Sequence, residues 1–117
     1  IRLMLRRIFR APHVTLDEIG LAMCVYVLLG QLWVLFYVPV VTLDPEAIVF
    51  PGSLTDIGAR NALTYFSYVT LTTLGYGDVQ PVSPLARGLA VVEALTGVLF
   101  LAVLISRLVG TYKTRRD

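Results

Sequence analysis

The stretch Thr70–Asp78, with the sequence TLTTLGYGD, decides the fold because it places polar, glycine-rich backbone between two apolar runs. Non-helical backbone at membrane depth is tolerated only where it is buried in protein or lines a water-filled cavity. A regular strand points successive carbonyl groups to opposite sides. Gly75 and Gly77 can adopt positive φ without a Cβ penalty, so alternating left-handed and right-handed conformations would turn the carbonyl groups to one side. The stretch is therefore predicted to present rows of oxygen atoms to a cation.

The composition is that of a membrane protein. The 117 residues are 56% hydrophobic and carry a net charge of only +2, with a mean hydropathy of +0.76, which is too apolar for an ordinary small soluble domain. The single cysteine, Cys24, excludes an intrachain disulfide, and one histidine, His13, is too few for a metal site. No nucleophile motif or phosphate-binding loop is present, so we expect neither an enzyme nor a cofactor nor a nucleic-acid partner.

The hydrophobic pattern predicts two membrane-spanning helices and one shorter helix between them. Residues 19–43 contain no charge and would extend about 37 Å, enough to cross a hydrocarbon core of about 30 Å. A second span is predicted within residues 87–110. Residues 59–70 would extend only about 18 Å, too little to cross, so they are predicted to form a re-entrant half-helix. The predicted fold is an all-α membrane protein.

Basic residues lie mainly at the two ends of the chain. Residues 1–18 are predicted to be an amphipathic segment in the membrane interface, with anionic lipid headgroups as partners. The arginines of this segment are Arg2, Arg6, Arg7 and Arg10. A voltage sensor is the competing interpretation, but it requires arginines at every third residue within a spanning helix. With a second basic tail at residues 111–117, the positive-inside rule predicts that both termini are cytoplasmic.

The segment Thr73–Asp78, TLGYGD, resembles the selectivity filter of tetrameric potassium channels, in which Leu74 is usually Val. The resemblance covers about residues 19–110 and implies an outer helix at 19–43, a pore helix at 59–70, a filter at 73–78 and an inner helix at 87–110. It implies passive potassium conduction by a homotetramer, in which one chain and three identical partners each supply one wall. The implied ion-binding residues are Thr73, Leu74, Gly75, Tyr76 and Gly77, with K⁺ at the first four.

The resemblance also assigns residues around the filter and along the inner helix. Residues implied to support the filter are Asp78, Tyr65, Phe66, Val69, Thr72 and Glu93. By this alignment Tyr65 is expected to donate a hydrogen bond to Asp78, while Val69 stands where some members carry a glutamate. Gly97 matches the position of a glycine hinge, although a small residue also permits close helix packing. Ala102 and Ser106 would face the inner cavity and gate.

Glu93 is the only charge within the second apolar run, and it requires a reason because intramembrane carboxylates are costly. The favoured prediction is a structural hydrogen bond behind the filter to a hydroxyl of the pore helix, such as that of Thr70 or Tyr68. The alternative is a gating or proton-sensing role.

Two other functions stay open at this stage. A weakly selective cation channel is one, because Leu74 departs from the usual filter. The other is the pore module of a larger gated channel with missing segments. A membrane adaptor is disfavoured since it has no use for a filter sequence. The expected location is a prokaryotic plasma membrane, which the chain crosses more than once.

Overall fold

The computed structural model of the chain describes residues 14–52 and 56–113. Their elements are, in order, α1 Leu16–Leu43, β1 Ile48–Val49, α2 Asp56–Leu71, β2 Gln80–Pro81 and α3 Pro84–Lys113. The mostly helical architecture confirms the predicted class, and α1 and α3 are both long and apolar enough to cross a membrane. The predicted interfacial helix with Arg2, Arg6, Arg7 and Arg10 falls mainly on residues outside the described ranges, as does the end of the basic tail.

Helix α1 begins at Leu16, three residues before the predicted start, because Thr15 and Glu18 form a capping box. The Glu18 amide donates to Thr15 Oγ1 and the Thr15 amide donates to Glu18 Oε2, both at 3.3 Å. Two of the amide groups at the helix start thereby find partners. Pro39 lies inside the helix, which continues to Leu43.

Helix α3 also begins earlier than predicted, at Pro84 instead of residue 87. Ser83 caps it, since its hydroxyl accepts from the Ala86 amide at 3.1 Å and its carbonyl from the Arg87 amide at 3.0 Å. Proline is favoured at the first helical position because its missing N–H would have no intrahelical partner there. Ser83 and Pro84 are therefore the cap and the first residue of this helix.

The short helix α2 packs against both long helices, and the core lies where the three meet. Gly30 of α1 permits this approach, because a Cβ there would overlap the Tyr68 ring of α2. The buried apolar residues of this core include Trp33, Val34, Tyr37, Val40, Leu63, Phe66, Leu71 and Ala86. Most other apolar side chains of α1 and α3 are exposed on the isolated chain. This distribution suits helices surrounded by lipid or by further chains.

A two-residue antiparallel ladder joins the loop after α1 to the segment before α3. Ile48 pairs with Pro81 and Val49 with Gln80. The Ala47 carbonyl next to it accepts from the amides of Val82 and Ser83, at 2.8 and 3.2 Å. The ladder fixes both ends of the hairpin in which α2 and the segment after it are held.

Candidate functional site

The segment after α2 has positive φ at every second residue. The values are 59° at Thr73, 61° at Gly75 and 79° at Gly77, whereas Leu74 and Tyr76 between them do not have positive φ. This is the alternation predicted for Gly75 and Gly77. At Thr73 it was not predicted, because a β-branched residue rarely adopts the left-handed region and does so at a conformational cost.

The start of this segment is held by the last turn of α2. The Leu74 and Gly75 amides both donate to the Val69 carbonyl, at 2.9 and 3.3 Å. The Thr72 amide and hydroxyl both donate to the Tyr68 carbonyl, at 3.0 and 2.6 Å. Carbonyl groups at a helix end have no partner within the helix, so these bonds satisfy them and fix the segment to α2. Val69 and Thr72 therefore lie where filter-supporting residues were predicted, and Val69 acts through its carbonyl.

The far end of the segment is held by the Gln80 side chain. Its Nε2 donates to the Gly77 carbonyl at 2.6 Å. The Tyr65 hydroxyl lies near enough to the Asp78 carboxylate for the two to interact, and the hydrogen bond that the alignment suggested between them stays a prediction. The Gly77 carbonyl is thus engaged within the chain, which separates Gly77 from the four residues predicted to hold K⁺.

One chain leaves the segment uncovered. Residues 72–78 are all exposed, and the Leu74 and Tyr76 side chains are 55% and 68% exposed. The two aromatic residues predicted to support the filter differ in how far they are buried. Phe66 is buried against the Tyr37 ring, with ring centres 5.1 Å apart, while Tyr65 is 38% exposed. Only Tyr65 is therefore available to another chain.

Glu93 is fully buried in a cluster that joins all three helices, which we call the Glu93 cluster: Gly30, Tyr37, Ser67 and Glu93. Ser67 Oγ lies 2.6 Å from Glu93 Oε1, and the Tyr37 hydroxyl donates to Glu93 Oε2 at 2.6 Å. Ser67 Oγ also lies 2.8 Å from the Gly30 carbonyl oxygen. A pore-helix hydroxyl does meet Glu93, as predicted.

The sequence analysis named Thr70 or Tyr68 as the source of that hydroxyl. This prediction was wrong, because Ser67 supplies it. Neighbouring helical residues point about 100° apart, and Tyr68 faces α1. Its hydroxyl donates to the Val27 carbonyl at 2.7 Å and accepts from Gln31 at 3.2 Å. Sequence reasoning missed Tyr37 entirely. The available signal was that Tyr37 lies seven residues after Gly30, two turns along the same face of α1.

The end of α2 is packed against Gly97. A Cβ on Gly97 would overlap the Leu71 carbonyl oxygen, and the same oxygen accepts a hydrogen bond from the Tyr26 hydroxyl at 3.1 Å. Gly97 therefore serves close helix packing, one of its two predicted roles. Ala102 and Ser106 are exposed on the isolated chain, and the Ser106 hydroxyl donates to the Ala102 carbonyl at 2.7 Å.

Comparison with known proteins identifies the region that contains this segment. Residues 59–113 match the family model described as "Ion channel". This part of the chain, close to half of its length, is therefore similar to an ion channel domain. The matched residues include most of α2, all of residues 72–78 and all of α3.

Curated proteins that are similar to this chain include potassium channels. One is the inward rectifier potassium channel Kirbac3.1 of Paramagnetospirillum magnetotacticum, 47% identical over 53 residues, or 45% of this chain. Another is two-pore potassium channel 4 of Arabidopsis thaliana, 47% identical over 46 residues, or 39% of the chain. A third is potassium channel subfamily K member 18 of Rattus norvegicus, 39% identical over 72 residues, or 58% of the chain. The aligned parts cover 16%, 16% and 18% of these relatives, so most of each lies outside the match.

Proposed function

We propose that this pore domain conducts potassium ions passively and selectively across a membrane as a homotetramer. The observation that carries the proposal is the alternation of positive φ at Thr73, Gly75 and Gly77 on exposed backbone at the end of a short helix. The potassium channels among the relatives support the choice of ion. K⁺ is the permeant species, and no cofactor is needed.

The chemistry follows from the cost of removing water from an ion. A cation enters a narrow pore only if oxygen atoms replace its hydration shell, and rings of backbone carbonyls do so in channel filters. Alternating φ would supply such oxygens from the carbonyls of Thr73, Leu74, Gly75 and Tyr76, with the Thr73 hydroxyl as a further ring. Gly77 has a structural role in this arrangement, because its carbonyl is bonded to Gln80.

The need for several copies follows from geometry, and the number four comes from the resemblance to tetrameric potassium channels. Two spanning helices cannot enclose a pore, so several copies must surround an axis. The exposed Leu74 and Tyr76 side chains and the half-exposed Tyr65 are apolar or aromatic surfaces that neighbouring subunits would cover. The three identical partners would thereby support the outward-facing side of each filter segment.

The arginine distribution supports an orientation with both termini cytoplasmic and the filter facing outward. Within residues 44–87 the four acidic residues Asp44, Glu46, Asp56 and Asp78 outnumber the two basic residues Arg60 and Arg87. A net negative outer mouth raises the local concentration of cations. Anionic lipid at the N-terminal arginines and a prokaryotic plasma membrane remain part of the proposal.

The second candidate is a weakly selective cation channel, and Leu74 is the observation that favours it. The chain also spans about a sixth of the length of the relatives it matches, which fits the pore module of a larger gated channel. Either alternative keeps the pore and changes its selectivity or control.

The test is reconstitution of the full chain in liposomes, with flux measured under a potassium gradient and then under an equal sodium gradient. Potassium flux well above sodium flux is expected. Equal fluxes would leave the weakly selective channel, and an absence of flux would falsify conduction by this chain. Tetramer formation is read separately from the mass of the purified protein in detergent.

Substitutions at three glycines sharpen the test. Gly77→Ala is expected to abolish selectivity, because alanine in the left-handed region costs about 1–2 kcal/mol in every subunit. Gly52→Ala is the control for backbone strain, since Gly52 has a φ of 81° in a loop away from the filter. Gly88→Ala is the control for volume, since a Cβ there meets nothing within 4 Å. Both controls should retain selectivity.

A further inference from the structure

The Glu93 cluster contains three short contacts between oxygen atoms. They join Ser67 Oγ to the Gly30 carbonyl at 2.8 Å, Ser67 Oγ to Glu93 Oε1 at 2.6 Å, and the Tyr37 hydroxyl to Glu93 Oε2 at 2.6 Å. All three lie within the range of O–H···O hydrogen bonds. At such distances each contact needs a proton between its two oxygens, since two bare acceptors repel each other.

Counting the protons fixes their positions. A carbonyl oxygen has no proton and a hydroxyl has one, so the contact between Ser67 and Gly30 must use the Ser67 proton. The Tyr37 proton serves Glu93 Oε2. The remaining contact, between Ser67 Oγ and Glu93 Oε1, then has no hydroxyl proton left. An ionised carboxylate cannot supply one, but a neutral carboxylic acid can.

The surroundings of Glu93 favour the same state. Its side chain has no exposed surface, and within residues 14–52 and 56–113 its partners are the hydroxyls of Tyr37 and Ser67 and not a basic group. Burial of a carboxylate without a cation is expensive inside a protein or a membrane. The neutral acid avoids that cost and leaves every polar atom of the cluster paired.

We propose that Glu93 is held as a neutral carboxylic acid whose proton is donated to Ser67, which in turn donates to the Gly30 carbonyl, so that one chain of hydrogen bonds fixes α2 between α1 and α3. Glu93 is a positioning residue in this scheme. It acts on the filter through α2, because Ser67 is two residues before Val69, whose carbonyl holds the Leu74 and Gly75 amides.

The first test is infrared spectroscopy of the full chain in lipid at neutral pH. A protonated carboxyl group has a C=O stretching band separate from those of ionised carboxylates, and this band should be lost in E93Q. E46Q is the matched control, since Glu46 is exposed in the loop after α1 and its removal should affect only the ionised carboxylate bands. Identical spectra of the wild type and E93Q in the protonated region would overturn the proposal.

A second variant tests the geometry of the proton chain. Tyr37→Phe removes the donor to Glu93 Oε2 and leaves the carboxyl C=O without a hydrogen bond. The protonated band should therefore shift to higher frequency and remain present. A band that does not move would mean that the protonated group is not the one bonded to Tyr37, and the assignment would fail.

The third test compares neutral replacements by thermal melting of the purified protein. The amide of Gln can donate to Ser67 and accept from Tyr37, as the neutral acid does, whereas Ala can do neither. E93Q should therefore melt close to the wild type and E93A well below it. If E93Q melts as low as E93A, the group is required as a carboxylate and the proposal is wrong. None of these measurements depends on ion flux, so they stand apart from the test of conduction.

Discussion

Gly97→Ala is the substitution whose effect the structure specifies most directly. A Cβ at Gly97 would overlap the Leu71 carbonyl oxygen, with the Leu71 carbonyl carbon at 3.0 Å and its Cδ1 at 3.2 Å. The first two atoms belong to the backbone at the end of α2, so no rotamer change can move them away. Helices α2 and α3 must separate locally, and the separation occurs two residues before Thr73.

The magnitude follows from comparison with a second glycine in the same helix. Replacement of a helical glycine by alanine gains up to about 1 kcal/mol in helix propensity. Gly88→Ala should show only this gain, because a Cβ there meets nothing within 4 Å. Overpacking a close contact costs about 1–3 kcal/mol, so Gly97→Ala should be less stable than Gly88→Ala by about that amount in each subunit, since the propensity gain is common to both.

The assay is denaturation of wild type, Gly97→Ala and Gly88→Ala in the same detergent, followed by helical signal and by loss of assembled protein. Gly97→Ala should unfold first and Gly88→Ala last. Flux measurements on the same preparations should show reduced potassium selectivity for Gly97→Ala alone, because the end of α2 carries the start of the filter segment.

A hinge at Gly97 predicts a different result. If the glycine served only to let α3 bend, alanine would stiffen the helix and reduce channel opening while leaving stability unchanged or raised. Equal stability of Gly97→Ala and Gly88→Ala would therefore refute the packing argument. A loss of both stability and opening would mean that Gly97 packs against Leu71 and also permits bending.

Three further substitutions test other contacts. Tyr26→Phe removes the donor to the buried Leu71 carbonyl and should lower stability by about 0.5–1.5 kcal/mol, the usual net value of one hydrogen bond, in a denaturation assay. Thr15→Ala removes the cap of α1 and its exchange with Glu18, which should cost about 0.5–2 kcal/mol by the same measurement. Leu74→Val should keep potassium selectivity in liposomes, because the side chain points away from the carbonyl groups proposed to bind K⁺, and a gain in selectivity would indicate that Leu74 weakens the filter.

The broad architecture could be predicted because it depends on length and polarity. An uncharged run at residues 19–43 and a half-length helix before TLGYGD leave few arrangements in a membrane. Positive φ at Gly75 and Gly77 followed from the missing Cβ. Positive φ at Thr73 could not be predicted, because the residue type opposes it; it occurs where the Thr73, Leu74 and Gly75 amides bond to carbonyls at the end of α2.

The partners of buried polar groups were harder to predict than their need for partners. The isolated carboxylate indicated that Glu93 requires a hydrogen bond, but Ser67, Thr70 and Tyr68 differ only in helical phase, which depends on how α2 rotates against its neighbours. Tyr37 lies in another helix, 56 residues away. Distances between helices are set by packing at Gly30 and Gly97, and no periodicity in a single helix contains that information.

The three helices nevertheless share one spacing, which explains why both glycines and Glu93 lie where they do. Gly30, Ser67 and Glu93 form one layer of contacts, and Tyr26, Leu71 and Gly97 form the next. Each helix contributes residues four apart, one turn along the same face, with α1 running opposite to α2 and α3. A one-residue change in the register of any helix would rotate its pair by about 100° and break both layers at once. Movement of α3 away from α2 must therefore break the contact between Glu93 and Ser67 at one layer and the packing of Gly97 against the Leu71 carbonyl at the other, so a perturbation of either layer reaches the bonds that hold residues 72–75.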